Sequence, residues 1–294
     1  MLDAETIFQG YEAIRARLPG MAAPREMTDI STILDITDRI DAFVFDAFGV
    51  LNLGERLIEG ADRRLEDLRA RDVKIRVLTN AASYDRAGAI AKFQRLGLGL
   101  HDSEIVTSRE AALHGLPAGV LGVIAADADR LADISRPCVR LGDVAADYDA
   151  VDAFLFFSAA DWTEERQKLL VHSMDHRVRP VIVANADLAA PREQGFTLEP
   201  GHFGHRLEDA FPGCVRFFGK PFEAVYHLVE RTLPDVPRDR IAMCGDTLHT
   251  DIVGAAAFGW RTVLVTGDGL LAGLDSTACC DRSGIHADWR VRRI

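Results

Sequence analysis

The sequence predicts an α/β fold: a parallel-sheet core with a second, smaller α/β unit inserted into it. Strand-length apolar runs alternate with amphipathic helical stretches, the pattern of a sheet covered by helices on both faces. The runs fall in two groups, one at the two ends of the chain and one in its middle. Length agrees, since 294 residues is a prior for about two domains at roughly 150 residues each.

In chain order, Asp41–Asp46, Val73–Thr79, Ile241–Gly245 and Arg261–Thr266 read as strands of the core. Between the first pairs lie the helical stretches Gly60–Arg71 and Tyr84–Leu96, the latter terminated by Gly97. Val120–Ala125, Ala153–Phe157 and Pro180–Asn185 read as strands of the inserted unit. Gly115, Pro117 and Gly119 suggest a hinge into it, and Pro200-Gly201 a hinge out. The expected division is a core of residues 1–117 and 203–294 around an insertion of 118–202.

Composition narrows the function. With 48% hydrophobic residues the chain can bury a full core, and disordered, collagen-like and disulfide-stapled classes are excluded. A net charge of −11 argues against a nucleic-acid or anionic-membrane surface, but not against one small anion at a focused site. The five cysteines form no C-x-x-C pair and read as reduced thiols. The N-terminal stretch has no basic segment followed by an apolar one, and the longest uncharged run, Ala111–Ala126, is interrupted by His114, Pro117 and glycines. The expectation is a soluble, cytoplasmic protein.

Chemistry concentrates at strand ends, where open parallel sheets bind ligands. The first strand ends in Asp46, followed by Ala47-Phe48-Gly49, and the second in Thr79-Asn80. Later runs end in Gly219-Lys220-Pro221 and in Gly245-Asp246-Thr247, with Asp251 five residues beyond Asp246. Brought together, these ends hold three carboxylates, a hydroxyl, an amide and a lysine. Converging carboxylates call for a cation, and hard oxygen ligands select Mg²⁺. A lysine with Thr and Asn donors suits a phosphate. The set reads as a Mg²⁺-assisted phosphoryl-transfer site.

Read in order as FDAFGVL, LTNAAS, GKP and GDTLHTDIVGA, these motifs resemble the four motifs of the haloacid dehalogenase (HAD) superfamily, in its class IIA (NagD-like) branch. EIVTSREAA resembles that branch's segment leading to the cap. ANADLAAP resembles the cap's N-P-D-x-x-x-P stretch, with Ala186 where proline is usual. The resemblance runs from about Asp41 to Thr266 and implies a HAD-type Rossmann-like core with an inserted class IIA α/β cap. It also implies that Asp46 is a nucleophile forming an aspartyl-phosphate on a small phosphorylated substrate. Asp46, Asp246 and the backbone carbonyl of Phe48 would ligate Mg²⁺, with Asp251 as a ligand or as a partner holding waters on the metal. Thr79 and Asn80 would hydrogen-bond the phosphoryl oxygens, Lys220 would neutralise nucleophile and phosphate, and Asp187 in the cap would face the substrate. Related proteins form cap-mediated dimers, so a homodimer is also among its implications.

The sequence departs from the family pattern at one position. Phosphatases of the superfamily carry D-x-D, whose second Asp protonates the leaving group, and here that position is Phe48. Losing a positioned acid typically lowers the rate by about 10²–10⁴-fold. The expectation is a phosphatase weak on ordinary monoesters, or one whose acid comes from the cap or the substrate. Two alternatives stay open: a 2-haloacid dehalogenase-like hydrolase, a branch that also carries an aromatic residue there, and a non-catalytic phosphometabolite-binding protein. A phosphonatase would need a cap lysine, and Lys168, in a helix-like stretch, reads as a surface residue. His172 and His176 lack the glutamate of H-E-x-x-H and read as a solvated helix face. His202 and His205 fit either a substrate contact or a helix start. Gly97-Leu98-Gly99 and Gly267-Asp268-Gly269 lack the third glycine of a dinucleotide fingerprint.

Overall fold

In the computed structural model, residues 2–21 and 26–294 are described. The first part of the chain forms helix α1 (Ala4–Ala13), strands β1 (Thr28–Asp29) and β2 (Ala42–Phe45), and a small hairpin of β3 (Asn52–Leu53) and β4 (Arg56–Leu57). Then come α2 (Ala61–Arg69), β5 (Lys74–Thr79), α3 (Arg86–Arg95), β6 (Ile105–Thr107) and α4 (Ser108–Leu113). The middle contains β7 (Leu121–Ile124), β8 (Cys138–Arg140), α5 (Ala145–Asp149), β9 (Ala153–Phe156), α6 (Glu164–His176) and β10 (Val181–Val183). It continues through the hairpin β11 (Ala189–Arg192) and β12 (Gly195–Leu198), then α7 (Pro200–Ala210) and β13 (Val215–Phe217). The chain closes with α8 (Glu223–Arg231), β14 (Ile241–Gly245), α9 (Val253–Ala257), β15 (Arg261–Val265), α10 (Ser276–Ser283) and β16 (Trp289–Val291).

The core sheet is parallel throughout, in the order β1-β16-β15-β14-β2-β5-β6. All four residues of β2, Ala-Phe-Val-Phe, are buried, because helices cover both faces. On one face Phe43 and Phe45 pack with Leu65 and Leu68 of α2 and Phe93 of α3. On the other, Ala42 and Val44 meet Tyr226 and Val229 of α8. The chain runs outward in opposite directions from β2 and β14, so the sheet's switch point lies between them, where such sheets open a crevice at their carboxyl edge. Asp46 and Asp246 sit there.

The inserted unit is a second parallel sheet, β13-β10-β9-β7-β8, packed against α5, α6 and α7 through Tyr148, Leu170, Met174 and Leu207. This sheet includes β13, which lies beyond residue 202. Pro200-Gly201 is therefore no exit hinge. Pro200 occupies the first turn of α7, where its missing N–H is harmless. Gly201 lies so close to the Ala186 carbonyl that a side chain would collide with it.

Three features join the two units. Apolar residues of both sheets, such as Val44 and Leu155, belong to one buried cluster. Arg109 on α4, 1% exposed, reaches into the insertion and bonds Asp133 through Nε (2.8 Å) and Nη2 (2.6 Å). Helix α1 lies across the junction: Ile7 and Tyr11 pack with Leu188 and Leu270, and the Leu188 N–H donates to Tyr11 Oη at 3.1 Å. Among the described residues no helix is long and apolar enough to cross a membrane.

Candidate active site

Strand β2 delivers Asp46 to the rim, where its N–H donates to the Cys244 carbonyl of neighbouring β14 at 2.9 Å. Asp46 Oδ1 accepts from Ala47 N at 2.7 Å and lies 2.6 Å from Lys220 Nζ. The same ammonium lies 2.7 Å from Asp251 Oδ1. Asp251 returns to the rim because the chain after Thr247 winds one π-helical turn over Leu248–Ile252, a distortion common at functional sites. Its Oδ2 accepts from Thr247 N at 3.1 Å. Asp246 accepts from Thr247 Oγ1 (3.0 Å) and Leu270 N (2.6 Å). Gly49, at φ +79°, lets the loop after β2 approach closely, since a Cβ there would stand 2.5 Å from Asp246 Oδ2.

One oxygen from each of Asp46, Asp246 and Asp251 lies within 4.8 Å of the others. Burial, then the charges of Asp251 and Asp46, push the Asp246 carboxyl up to about 8. Burial likewise raises Asp251 to about 6, opposed by Lys220. Burial alone would depress the Lys220 ammonium, but Asp251 and Asp46 outweigh it and hold it above its usual value. One ammonium cannot balance three converging carboxylates. The hard oxygen donors and their uncompensated charge fit a divalent cation of the Mg²⁺ type.

Thr79 and Asn80 lie at the end of β5. Thr79 Oγ1 accepts from Ala81 N at 3.1 Å, leaving its hydroxyl hydrogen available to a ligand. Asn80, expected to bond a phosphoryl oxygen, is differently engaged. Its Nδ2 donates to the Lys220 carbonyl (2.9 Å) and to Asp187 Oδ1 (2.8 Å), while its Oδ1 accepts from Lys220 N (2.7 Å). Both amide hydrogens are committed, so the side chain orients Lys220 and Asp187. Gly219, at φ +97°, permits this, because a Cβ would lie 2.5 Å from Asn80 Oδ1.

These residues open into a cavity of about 470 Å³ lined from both units. Asp187 stands in its wall on a loop braced by Asn185, whose Oδ1 accepts from Asp187 N at 3.0 Å. Burial raises the Asp187 carboxyl well above its ordinary value, against the pull of Lys220. The Phe48 ring also lines the cavity, with Lys92 Nζ 4.1 Å and Arg192 Cζ 4.9 Å from its centroid. Neither cation was expected from the sequence. Lys92 carried one signal, falling on the buried face of α3 beside Ala89 and Phe93; Arg192 carried none. His205 is buried and stacked on Phe217 at 4.2 Å, outside the cavity lining.

Two family models match the chain, one described as haloacid dehalogenase-like hydrolase over residues 43–126 and one as HAD-hydrolase-like over residues 217–275. Phosphoglycolate phosphatase 1A of Arabidopsis thaliana, a chloroplastic protein, is 36% identical over 77 residues, which is 26% of this chain and 21% of that protein. The match thus spans only about a fifth of that relative's length. Glycerol-3-phosphate phosphatase of Rattus norvegicus is 27% identical over 253 residues, 76% of this chain and 78% of the relative. A solved structure from Cytophaga hutchinsonii, described as a possible sugar phosphatase, superimposes with a TM-score of 0.80 over 91% of this chain and 98% of its own, at 22% identity. The matched segments lie either side of most of the inserted unit and carry all four rim motifs, so it is the core of the chain that is similar to the haloacid dehalogenase-like hydrolases.

Proposed function

We propose that the protein is a Mg²⁺-dependent phosphohydrolase acting on a small phosphorylated metabolite, with the unit from about residue 118 to residue 217 serving as the cap over its site. The observation that carries the proposal is the convergence of Asp46, Asp246 and Asp251 around Lys220, whose ammonium lies 2.6 and 2.7 Å from two of them. That arrangement suits a dianionic phosphoryl group better than a halide.

Asp46 is the nucleophile. Its Oδ1 is held by Ala47 N and Lys220, while Oδ2 accepts no hydrogen bond among the described residues and is the attacking oxygen. A bond forms between Oδ2 and phosphorus as the ester P–O bond breaks, and water then cleaves the acyl phosphate, releasing phosphate and restoring Asp46. Lys220 holds its charge against the nucleophile throughout, which strengthens as the closed cavity excludes water. The Thr79 hydroxyl donates to a phosphoryl oxygen. Asn80 acts at one remove by fixing Lys220 and Asp187, and Asp187 faces the substrate. Bound between Asp46, Asp246, Asp251 and the Phe48 carbonyl, Mg²⁺ would offset the carboxylates and polarise the phosphoryl oxygens. Phe48 supplies no proton, so substrates whose leaving group departs unprotonated are favoured.

The test is hydrolysis of p-nitrophenyl phosphate with and without Mg²⁺, for the natural protein and for Asp46→Asn. Turnover that needs Mg²⁺ and falls by at least about 10³-fold in Asp46→Asn supports the assignment. Equal turnover in the variant overturns it.

A further inference from the structure

The cavity holds two cations that the phosphoryl chemistry does not use. Lys92 is only 4% exposed, and Glu55 is the acidic partner of its ammonium among the described residues. Its nearest carboxylate is Glu55 at 3.7 Å, whose side chain is 59% exposed and also pairs with Arg95 at 3.6 Å. A nearly buried ammonium whose acidic partner is a long contact to an exposed side chain is poorly compensated, and the Phe48 ring offsets only part of the lost hydration. Arg192 approaches the same ring from the cap hairpin. Its Nε donates to Thr197 Oγ1 at 2.9 Å and its Nη2 to Glu199 Oε1 at 2.8 Å, whereas Nη1 makes no hydrogen bond among the described residues.

We propose that Lys92 and Arg192 form a second anion subsite beside the Phe48 ring, which receives a carboxylate or second phosphoryl group of the substrate remote from the reacting phosphate. This rests on the phosphohydrolase reading and narrows its substrate to phosphate esters bearing another anionic oxygen group. The geometry also accounts for the departure at position 48. A carboxylate there would neutralise the two cations and repel the substrate's second anion, whereas an apolar ring leaves both charges to the ligand. One cation comes from core helix α3 and the other from the cap hairpin β11–β12, so the subsite is complete only with the cap seated. The acids beside it do not close it. Glu55 is exposed and can yield to a ligand, and Glu199 is turned to Asn185, Thr197 and Arg192.

The test uses three non-hydrolysable three-carbon probes, each titrated calorimetrically into the full protein with Mg²⁺: propylphosphonate, 3-phosphonopropanoate and propane-1,3-bisphosphonate. The expected result is that at least one doubly anionic probe binds about 10- to 100-fold more tightly than propylphosphonate, the range of a charge-assisted hydrogen bond. Whether the carboxylate or the bisphosphonate gains more identifies the anion. Lys92→Met should reduce the ratio to below about 3-fold, Lys92→Arg should restore part of it, and Arg192→Gln, at a less buried residue, should lower it independently. Equal binding of all three probes, no binding of any, or a ratio unmoved in both Lys92→Met and Arg192→Gln overturns the subsite. Probe preference without turnover of any ester would refute the phosphohydrolase reading and leave the subsite standing. Turnover without preference would do the reverse.

Discussion

Chelating the metal should make the protein's stability depend on pH, and restoring Mg²⁺ should remove most of that dependence. Burial and neighbouring charge raise the Asp246 carboxyl from 3.8 to about 8 and Asp251 from 3.8 to about 6. Both folded values exceed the unfolded ones. Between about pH 4 and 8 the folded state therefore holds protons that the unfolded chain has lost, and stability falls as pH rises. At 1.36 kcal/mol per unit, Asp246 alone accounts for a loss of order 5 kcal/mol across that window. For a chain of this size that is about 10 °C in Tm. His205, which burial lowers to about 4, contributes the opposite slope below pH 6.5, so the comparison is best made with and without metal at each pH. Thermal unfolding in EDTA and in millimolar Mg²⁺ at pH 5.5 and 8.0 measures the effect. Protons compete with the cation for these carboxylates, so the Mg²⁺-induced rise in Tm should be several degrees larger at pH 8.0, and Asp246→Asn should abolish that difference. A Mg²⁺ shift equal at both pH values, or retained in Asp246→Asn, would refute the assignment of the cation to this cluster.

Two further outcomes follow from named contacts. Phe48→Asp should raise turnover of an alkyl phosphate by about 10-fold or more relative to p-nitrophenyl phosphate, whose leaving group needs no proton. The gain should stay below the full value of a general acid, because Lys92 and Arg192 beside that position favour the ionised carboxylate; unchanged rates on both esters would refute it. Tyr11→Phe removes the acceptor of the Leu188 N–H and should lower stability by about 1–3 kcal/mol while raising KM, as α1 loosens its hold on the cap. Unaltered Tm and amide exchange at Leu188 would count against that role.

The rim was legible in the sequence because a parallel sheet places the carboxyl end of every strand on one edge. A polar residue closing an apolar run is then located in space as well as in sequence, and Asp46, Thr79 and Asp246 arrive together on that account, whereas Lys220 follows β13 of the inserted sheet and reaches the rim through the turn into α8. Asp251 was legible through its spacing from Asp246, although the π-helical turn that brings it back was not. The inserted sheet was legible as a group of strands. Its last strand, β13, is an exposed Arg216 between half-buried Val215 and Phe217, without the continuous apolar signal of the others, and so the insertion appeared to end near residue 202.

The sequence by itself indicated the α/β class and an inserted unit, and it picked out the three carboxylates and the lysine that the structure brings together, all through short local patterns. Only the tertiary structure decided how those groups are held and what else meets them. Asn80 is committed to Lys220, 140 residues away, and Tyr11 to Leu188, 177 residues away. Lys92 and Arg192 converge on Phe48 from opposite sides of the domain junction. Periodicity reports which face of an element is buried, but a side chain's hydrogen-bond partners depend on chain segments that pack beside it from far along the sequence.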